Sequence, residues 1–226
     1  MKETLHRLEL HTEARRAQFH RDFAAFAHLH ELDDWEGWFS PYDEETYKWV
    51  LGHIAEDDVV LEVGAGDLRL ALRMAERARR VYAVEVNPLV LGPALADIGL
   101  RLPRNLHAIC TNALDMLLPP DVTVAVLLMR HCQHFGQYFD RLRAAGCRRL
   151  LTNARWKSGV EMVDLTASRV PWERVRDGAA IHNGWYACRC GAVGYVGNGT
   201  HTDAPPTEVI VCPACSSPQV DYAGNK

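Results

Sequence analysis

Long apolar runs are missing from this sequence: no stretch approaches the length of a membrane span, and Met1-Lys2-Glu3-Thr4 does not begin a signal peptide. Both absences predict a cytoplasmic chain with no membrane partner. An excess of one charge is missing too. The formal net charge of -4 gives no support for bulk binding to phosphate backbones, though it leaves room for local basic patches. Glycine and proline are absent from Glu3 to His30, where Leu5, Leu8, Phe19, Phe23 and Phe26 fall on helical spacing and predict one or two amphipathic helices. His28 and His30 in this stretch stand two apart and point in different directions on a helix, which favours a solvated or partner-facing surface over a metal site. Against these absences stands a 48% apolar composition, and 226 residues suit one domain of ordinary size plus an appendage. The seven cysteines, in a reducing compartment, read as thiols or metal ligands rather than bridges.

The stretch from Val59 to Pro88 organises the chain. Val59-Val60-Leu61-Glu62-Val63 is an apolar, β-branched run of strand length that stops at Gly64-Ala65-Gly66, where the backbone must turn. Asp67 is placed to cap a helix whose apolar face is Leu68, Leu70, Ala71, Leu72, Met74, Ala75 and Ala78, and residues 81–86 read as a second strand. A right-handed crossover makes the strands parallel and puts the glycine turn beside the end of the second strand, at the carboxyl edge where ligands bind. Glu85 lies about twenty residues past the glycines, the spacing of a carboxylate that accepts both hydroxyls of an adenosine ribose. A dinucleotide site needs a third small residue, and Arg69 stands there.

Leu61-Glu62-Val63-Gly64-Ala65-Gly66 followed by Val84-Glu85-Val86-Asn87 resembles the signature of class I S-adenosylmethionine-dependent methyltransferases, with Leu68 in place of the third glycine. The scaffold over residues 37 to 155 is similar to rRNA adenine dimethyltransferases. The resemblance implies an α/β, Rossmann-like parallel-sheet domain that binds S-adenosyl-L-methionine through Glu62, Gly64, Ala65, Gly66, Glu85, Val86, Asn112, Ala113 and Met129. Within that set Asn112 replaces the aspartate that accepts from the adenine amine in the family, and an amide carbonyl can still accept it. Upstream, Ser40-Pro41 is expected to start a helix, and Trp38, Phe39 and Tyr42 are either a cofactor lid or a seal on the core edge.

Residues 122–128 read as a strand buried on both faces, and methyl acceptors in the resembled family sit just beyond it. Here the segment is Met129-Arg130-His131-Cys132-Gln133-His134-Phe135. It has neither Asn-Leu-Pro-Tyr nor Asp-Pro-Pro-Tyr, which argues against adenine. His131, and after it His134, are candidates for a general base, with a satisfied core or surface histidine as the alternative. The arginines Arg73, Arg77, Arg79, Arg80, Arg141, Arg143, Arg148 and Arg149 read as solvated surface.

Two cysteine knuckles, Cys188-Arg189-Cys190 and Cys212-Pro213-Ala214-Cys215, lie about twenty residues apart and resemble a zinc ribbon. Four thiolates close a tetrahedral, structural Zn2+ site; His182 and His201 are substitutes should the tighter first knuckle not bind. The expected domains are an N-terminal helical segment (1–55), a methyltransferase domain (56–170) and a ribbon (180–220). Too few apolar runs remain for both a ribbon and the family's closing hairpin, so a shortened sheet is expected. The methyl acceptor is left open among RNA, protein and a small molecule, as is the oligomeric state, with a non-catalytic binding protein that keeps the fold as the other class.

Overall fold

The computed structural model describes residues 41–130, 132–155, 159–176, 184–197 and 206–216. The expected N-terminal helices, Trp38, Phe39, His131, His182 and His201 lie outside them.

Helix α1 (Glu44–Gly52) starts later than its sequence suggests. Asp43 is the N-cap and accepts from the Thr46 N–H at 2.8 Å, while Pro41 precedes the helix. Aspartate caps as well as serine does, and Glu44 and Glu45 add favourable charge at the positive end of the dipole. Strand β1 (Val59–Val63), helix α2 (Arg69–Ala75) and strand β2 (Arg80–Glu85) form the expected unit. Helix α3 (Pro88–Ile98) begins at an Asn87 cap and leads to β3 (Leu106–Cys110). Then come β4 (Val124–Leu127), α4 (Phe135–Ala144), β5 (Arg149–Thr152) and β6 (Glu161–Asp164).

The six strands order as β3-β2-β1-β4-β5-β6, parallel except for β6, which runs antiparallel to β5. This is the shortened sheet: one antiparallel edge strand follows β5. Alternate residues of β1 and β4 feed opposite faces. Val60, Val124 and Val126 pack with Leu70, Leu72 and Met74 of α2 and Val50 and Leu51 of α1. Leu61, Val63, Ala125 and Leu127 pack with Phe135, Phe139 and Leu142 of α4. Helices cover both faces, so the central strands are apolar throughout. The order reverses between β1 and β4, and that switch point opens a crevice at their carboxyl ends.

The opposite edge is tied by charge. Asp58, 3% exposed, accepts from Ala55 N–H, from the Thr123 hydroxyl at 2.8 Å and from Arg149 Nη2 through both oxygens at 2.8 and 2.9 Å. Burial works to raise its pKa, and these partners outweigh it, leaving the carboxyl below its ordinary value. The solvated reading of the arginines is corrected for three of them: half-buried Arg73 pairs with Glu44 and Arg149 with buried Asp58, while Arg80, its side chain 42% exposed, pairs with Asp121 at the surface and exposed Arg77 donates to the Leu51 carbonyl. The third, Arg141, donates to the carbonyls of Ala113, Leu114 and Met116. A fork of five donors binds several acceptors at once, which suits arginine to tying loops to elements.

Beyond α5 (Trp172–Arg176), strands β7 (Gly184–Cys188), β8 (Val193–Val196) and β9 (Thr207–Val209) make a separate three-stranded sheet in the order β8-β7-β9. A short helix, α6 (Pro213–Ser216), closes it. Its core is small: Val175, Cys188, Val209 and Cys212. Among the described residues no helix is long and apolar enough to cross a membrane.

Candidate functional site

The glycine turn leaves β1 with Gly64 at φ 75° and Gly66 at φ 55°, a left-handed backbone that glycine adopts without strain. Gly64 and Ala65 N–H both donate to the Val84 carbonyl, at 2.9 and 3.0 Å, which fastens the turn to the end of β2. Gly66 N–H donates to Glu85 Oε2 at 2.8 Å, and Asn87 N–H to Glu85 Oε1 at 2.8 Å. Glu85 is thus fixed at the carboxyl edge, its oxygens keeping lone pairs for further donors. Burial raises its pKa against the pull of these backbone donors. Val86, half-buried, follows it.

Glu62 is 5% exposed, and its Oε2 has no hydrogen-bond partner among the described residues. Burial, with the nearby charges of Asp67 and Glu85, pushes its carboxyl well above the usual range. A buried, unpaired oxygen costs free energy until a donor arrives, so this turn is built to receive one. Asp67, expected as the helix cap, holds Arg69 instead, with Oδ2 2.6 Å from Nη2, and accepts from the Arg69 N–H at 3.2 Å. The N-cap position itself falls to Leu68, at φ 67°.

Across the switch point Met129 meets the turn: its Cε is 3.6 Å from where a Cβ on Gly64 would lie. Tyr42 reaches the same place, its hydroxyl accepting from Arg130 N–H at 3.4 Å. Asn112 and Ala113 follow β3, and Asn112 Oδ1 accepts from Leu114 N–H at 2.9 Å, which turns the loop and leaves its second lone pair for a ligand. The structure therefore ties Gly64, Ala65 and Gly66 to Val84 and Glu85, sets Met129 against Gly64 and brings Glu62 near Glu85, while Val86 follows β2 and Asn112 and Ala113 follow β3. His134 takes the N-cap position of α4, half-buried.

Cys188, Cys190, Cys212 and Cys215 bring their sulfurs within 4.8 Å of one another. Three separations are 3.5, 3.6 and 3.8 Å. A disulfide would need about 2.05 Å. Zn–S bonds of about 2.3 Å in a tetrahedron put sulfurs about 3.8 Å apart, so the donor set fits zinc. The single residue between Cys188 and Cys190 is accommodated by Gly191 at φ 93°, which turns the knuckle.

Two groups escaped sequence reasoning. Asn153, one residue past β5 and 4% exposed, has neither amide atom hydrogen-bonded among the described residues. Arg155, 1% exposed, pairs with Glu161 and Glu208, the latter 53 positions away. No spacing pattern marks such pairs; only an arginine after a strand end hints at one.

No family model matches the chain. The "Ribosomal RNA small subunit methyltransferase A" of Streptomyces coelicolor is 30% identical over 172 residues, 67% of this chain and 55% of that protein. Its counterpart in Rubrobacter xylanophilus is 40% identical over 65 residues, 29% of this chain and 25% of that one. The chain thus spans about half the length, or less, of the curated relatives it matches. An RNA methyltransferase from Salinibacter ruber, solved in complex with S-adenosyl-L-homocysteine, aligns at 16% identity and a TM-score of 0.44 over 52% of this chain and 82% of that one. The strand order, the glycine turn between β1 and α2 and the sequence relatives give this chain the Rossmann-like fold of the class I S-adenosylmethionine-dependent methyltransferases.

Proposed function

We propose that the chain transfers a methyl group from S-adenosyl-L-methionine to RNA and carries a structural zinc ion in its C-terminal ribbon. The observation that carries the first part is the buried pair of acidic side chains that flank the glycine turn, Glu62 of β1 and Glu85 of β2. Glu85 is held at the ribose position by Gly66 and Asn87 N–H groups, and Glu62 keeps an oxygen for a donor. A ligand with a vicinal diol and an ammonium group satisfies both. When bound, S-adenosylmethionine supplies an electrophilic methyl group.

The chain's own residues do the rest. Glu85 accepts the ribose hydroxyls, Glu62 the amine, and Asn112 with Ala113 flanks the adenine. Met129 lies against the turn and closes the methyl-bearing side toward β4. Transfer then depends on in-line approach of the acceptor at the end of β4, which is chiefly positioning. His134, or else His131, takes the proton where the nucleophile is a hydroxyl or a carbon; an amine attacks through its lone pair and needs no base before transfer. RNA is favoured by the names of both curated relatives, and the ribbon's Trp185, Tyr186 and Tyr195 offer rings on which bases could stack. The Asn-Leu-Pro-Tyr acceptor motif is absent, so the adenine amine is not carried over from them. Four protein thiolates leave zinc no open position, which makes its role structural.

Calorimetric titration of the metal-loaded protein with S-adenosylhomocysteine, beside NADH, tests the reading. Micromolar binding of the adenosyl ligand alone is expected. Glu85→Ala should weaken it about 10- to 100-fold, the worth of one or two hydrogen bonds to a carboxylate. No binding would overturn the methyltransferase reading and leave the binding-protein class.

A further inference from the structure

The ribbon grips the acceptor edge of the sheet through one buried guanidinium. Arg155 Nε and Nη2 donate to Glu161 Oε1 and Oε2 at 2.9 and 2.8 Å, while Nη1 donates to Glu208 Oε2 at 2.9 Å. Glu161 belongs to β6 of the large sheet and Glu208 to β9 of the ribbon. The guanidinium carbon stands 5.4 Å from the centre of the Phe135 ring, the first residue of α4. Next to Phe135, Gly136 lies under the first knuckle. A Cβ there would come 2.8 Å from the carbonyl oxygen of Arg189, the residue between Cys188 and Cys190. A Cβ on Gly191 would in turn lie 3.8 Å from Phe135 Cβ. The backbone between two zinc ligands thus rests on the helix that follows the acceptor segment. Val170 adds a backbone tie, donating to the Glu208 carbonyl at 2.9 Å and accepting from Ile210 N–H at 3.0 Å.

We propose that the metal-loaded ribbon orders the start of α4, residues 132–136, with Arg155 as the positioning residue that joins them, while the glycine turn is independent of it. The proposal rests on the zinc and acceptor readings above. Its physical basis is the small ribbon core: so few apolar residues hold the knuckle that the metal must fix where the Arg189 carbonyl and Glu208 stand. The glycine turn, by contrast, takes its hydrogen bonds from Val84 and Glu85. Local stability follows local contacts, so one edge can loosen while the other holds.

Hydrogen exchange on the full chain tests this with zinc-loaded wild type, chelator-stripped wild type and zinc-loaded Glu208→Gln, zinc content being measured on each sample. Stripping and Glu208→Gln should each speed exchange of amides in 132–140 by about tenfold or more. Amides of 59–75 should stay within about twofold. Retained metal with unchanged exchange on stripping overturns this proposal alone, as does equal loss of protection at both edges. A protein that retains no metal overturns the zinc reading and this proposal together.

Discussion

Leu68 stands where the resembled pattern has glycine and takes glycine's backbone conformation, φ 67° and ψ 8°, with its side chain fully buried. A left-handed leucine costs about 1–2 kcal/mol, whereas removing a buried leucine side chain costs about 2–5 kcal/mol. Lost burial outweighs the relieved backbone, so Leu68→Gly should destabilise the protein by about 1–3 kcal/mol in chemical denaturation despite restoring the family residue. Glu62 makes a second prediction. Its folded-state pKa lies above the unfolded value, so the folded protein keeps a proton that the unfolded chain releases, and stability falls as pH rises through that window. Glu62→Gln removes that loss, and a melting temperature measured against pH should flatten. A cationic amine favours the ionised form, so adenosyl-ligand affinity should rise with pH in wild type and lose that slope in Glu62→Gln.

At the scale of elements, α4 carries a glycine, Gly136, in its first turn. Alanine in a helix is ordinarily better by about 0.5–1 kcal/mol. Here its Cβ would meet the Arg189 carbonyl at 2.8 Å, a backbone atom that cannot swing aside. Gly136→Ala should therefore lower the melting temperature of the zinc-loaded protein and raise or spare that of the stripped protein, where the knuckle is free to move. Loops are held by neighbouring elements in the same manner. Arg141 of α4 reaches the carbonyls of Ala113, Leu114 and Met116, so the loop after β3 depends on a helix that follows β4.

For the whole molecule, two cores of unequal size meet at Arg155. The sheet carries two large apolar layers, while the cluster under the ribbon holds four buried residues among those described. Chelation should accordingly split thermal unfolding into an early ribbon step and a later sheet step, read by circular dichroism and tryptophan fluorescence, while the metal-loaded protein unfolds in one. Arg155 is buried and stays charged because the Glu161 and Glu208 carboxylates outweigh the burial that works against it, which ties the two cores electrostatically.

Local pattern made much of this protein legible in its sequence. The run 59–63, the glycine turn, Glu85 and the two cysteine knuckles are short-range signals, because a strand period, a left-handed turn and a ligand pair are each written within a few residues. The shortened sheet followed from counting apolar runs. What only the tertiary structure decided lies at long separation: Asp58 with Arg149, 91 positions apart, and Arg155 with Glu208, 53 apart. Such pairs leave no periodic trace, since any arginine can meet any carboxylate once the chain has folded. The reading of the arginines as solvated surface failed there, because burial and partnership belong to the fold and not to the residue.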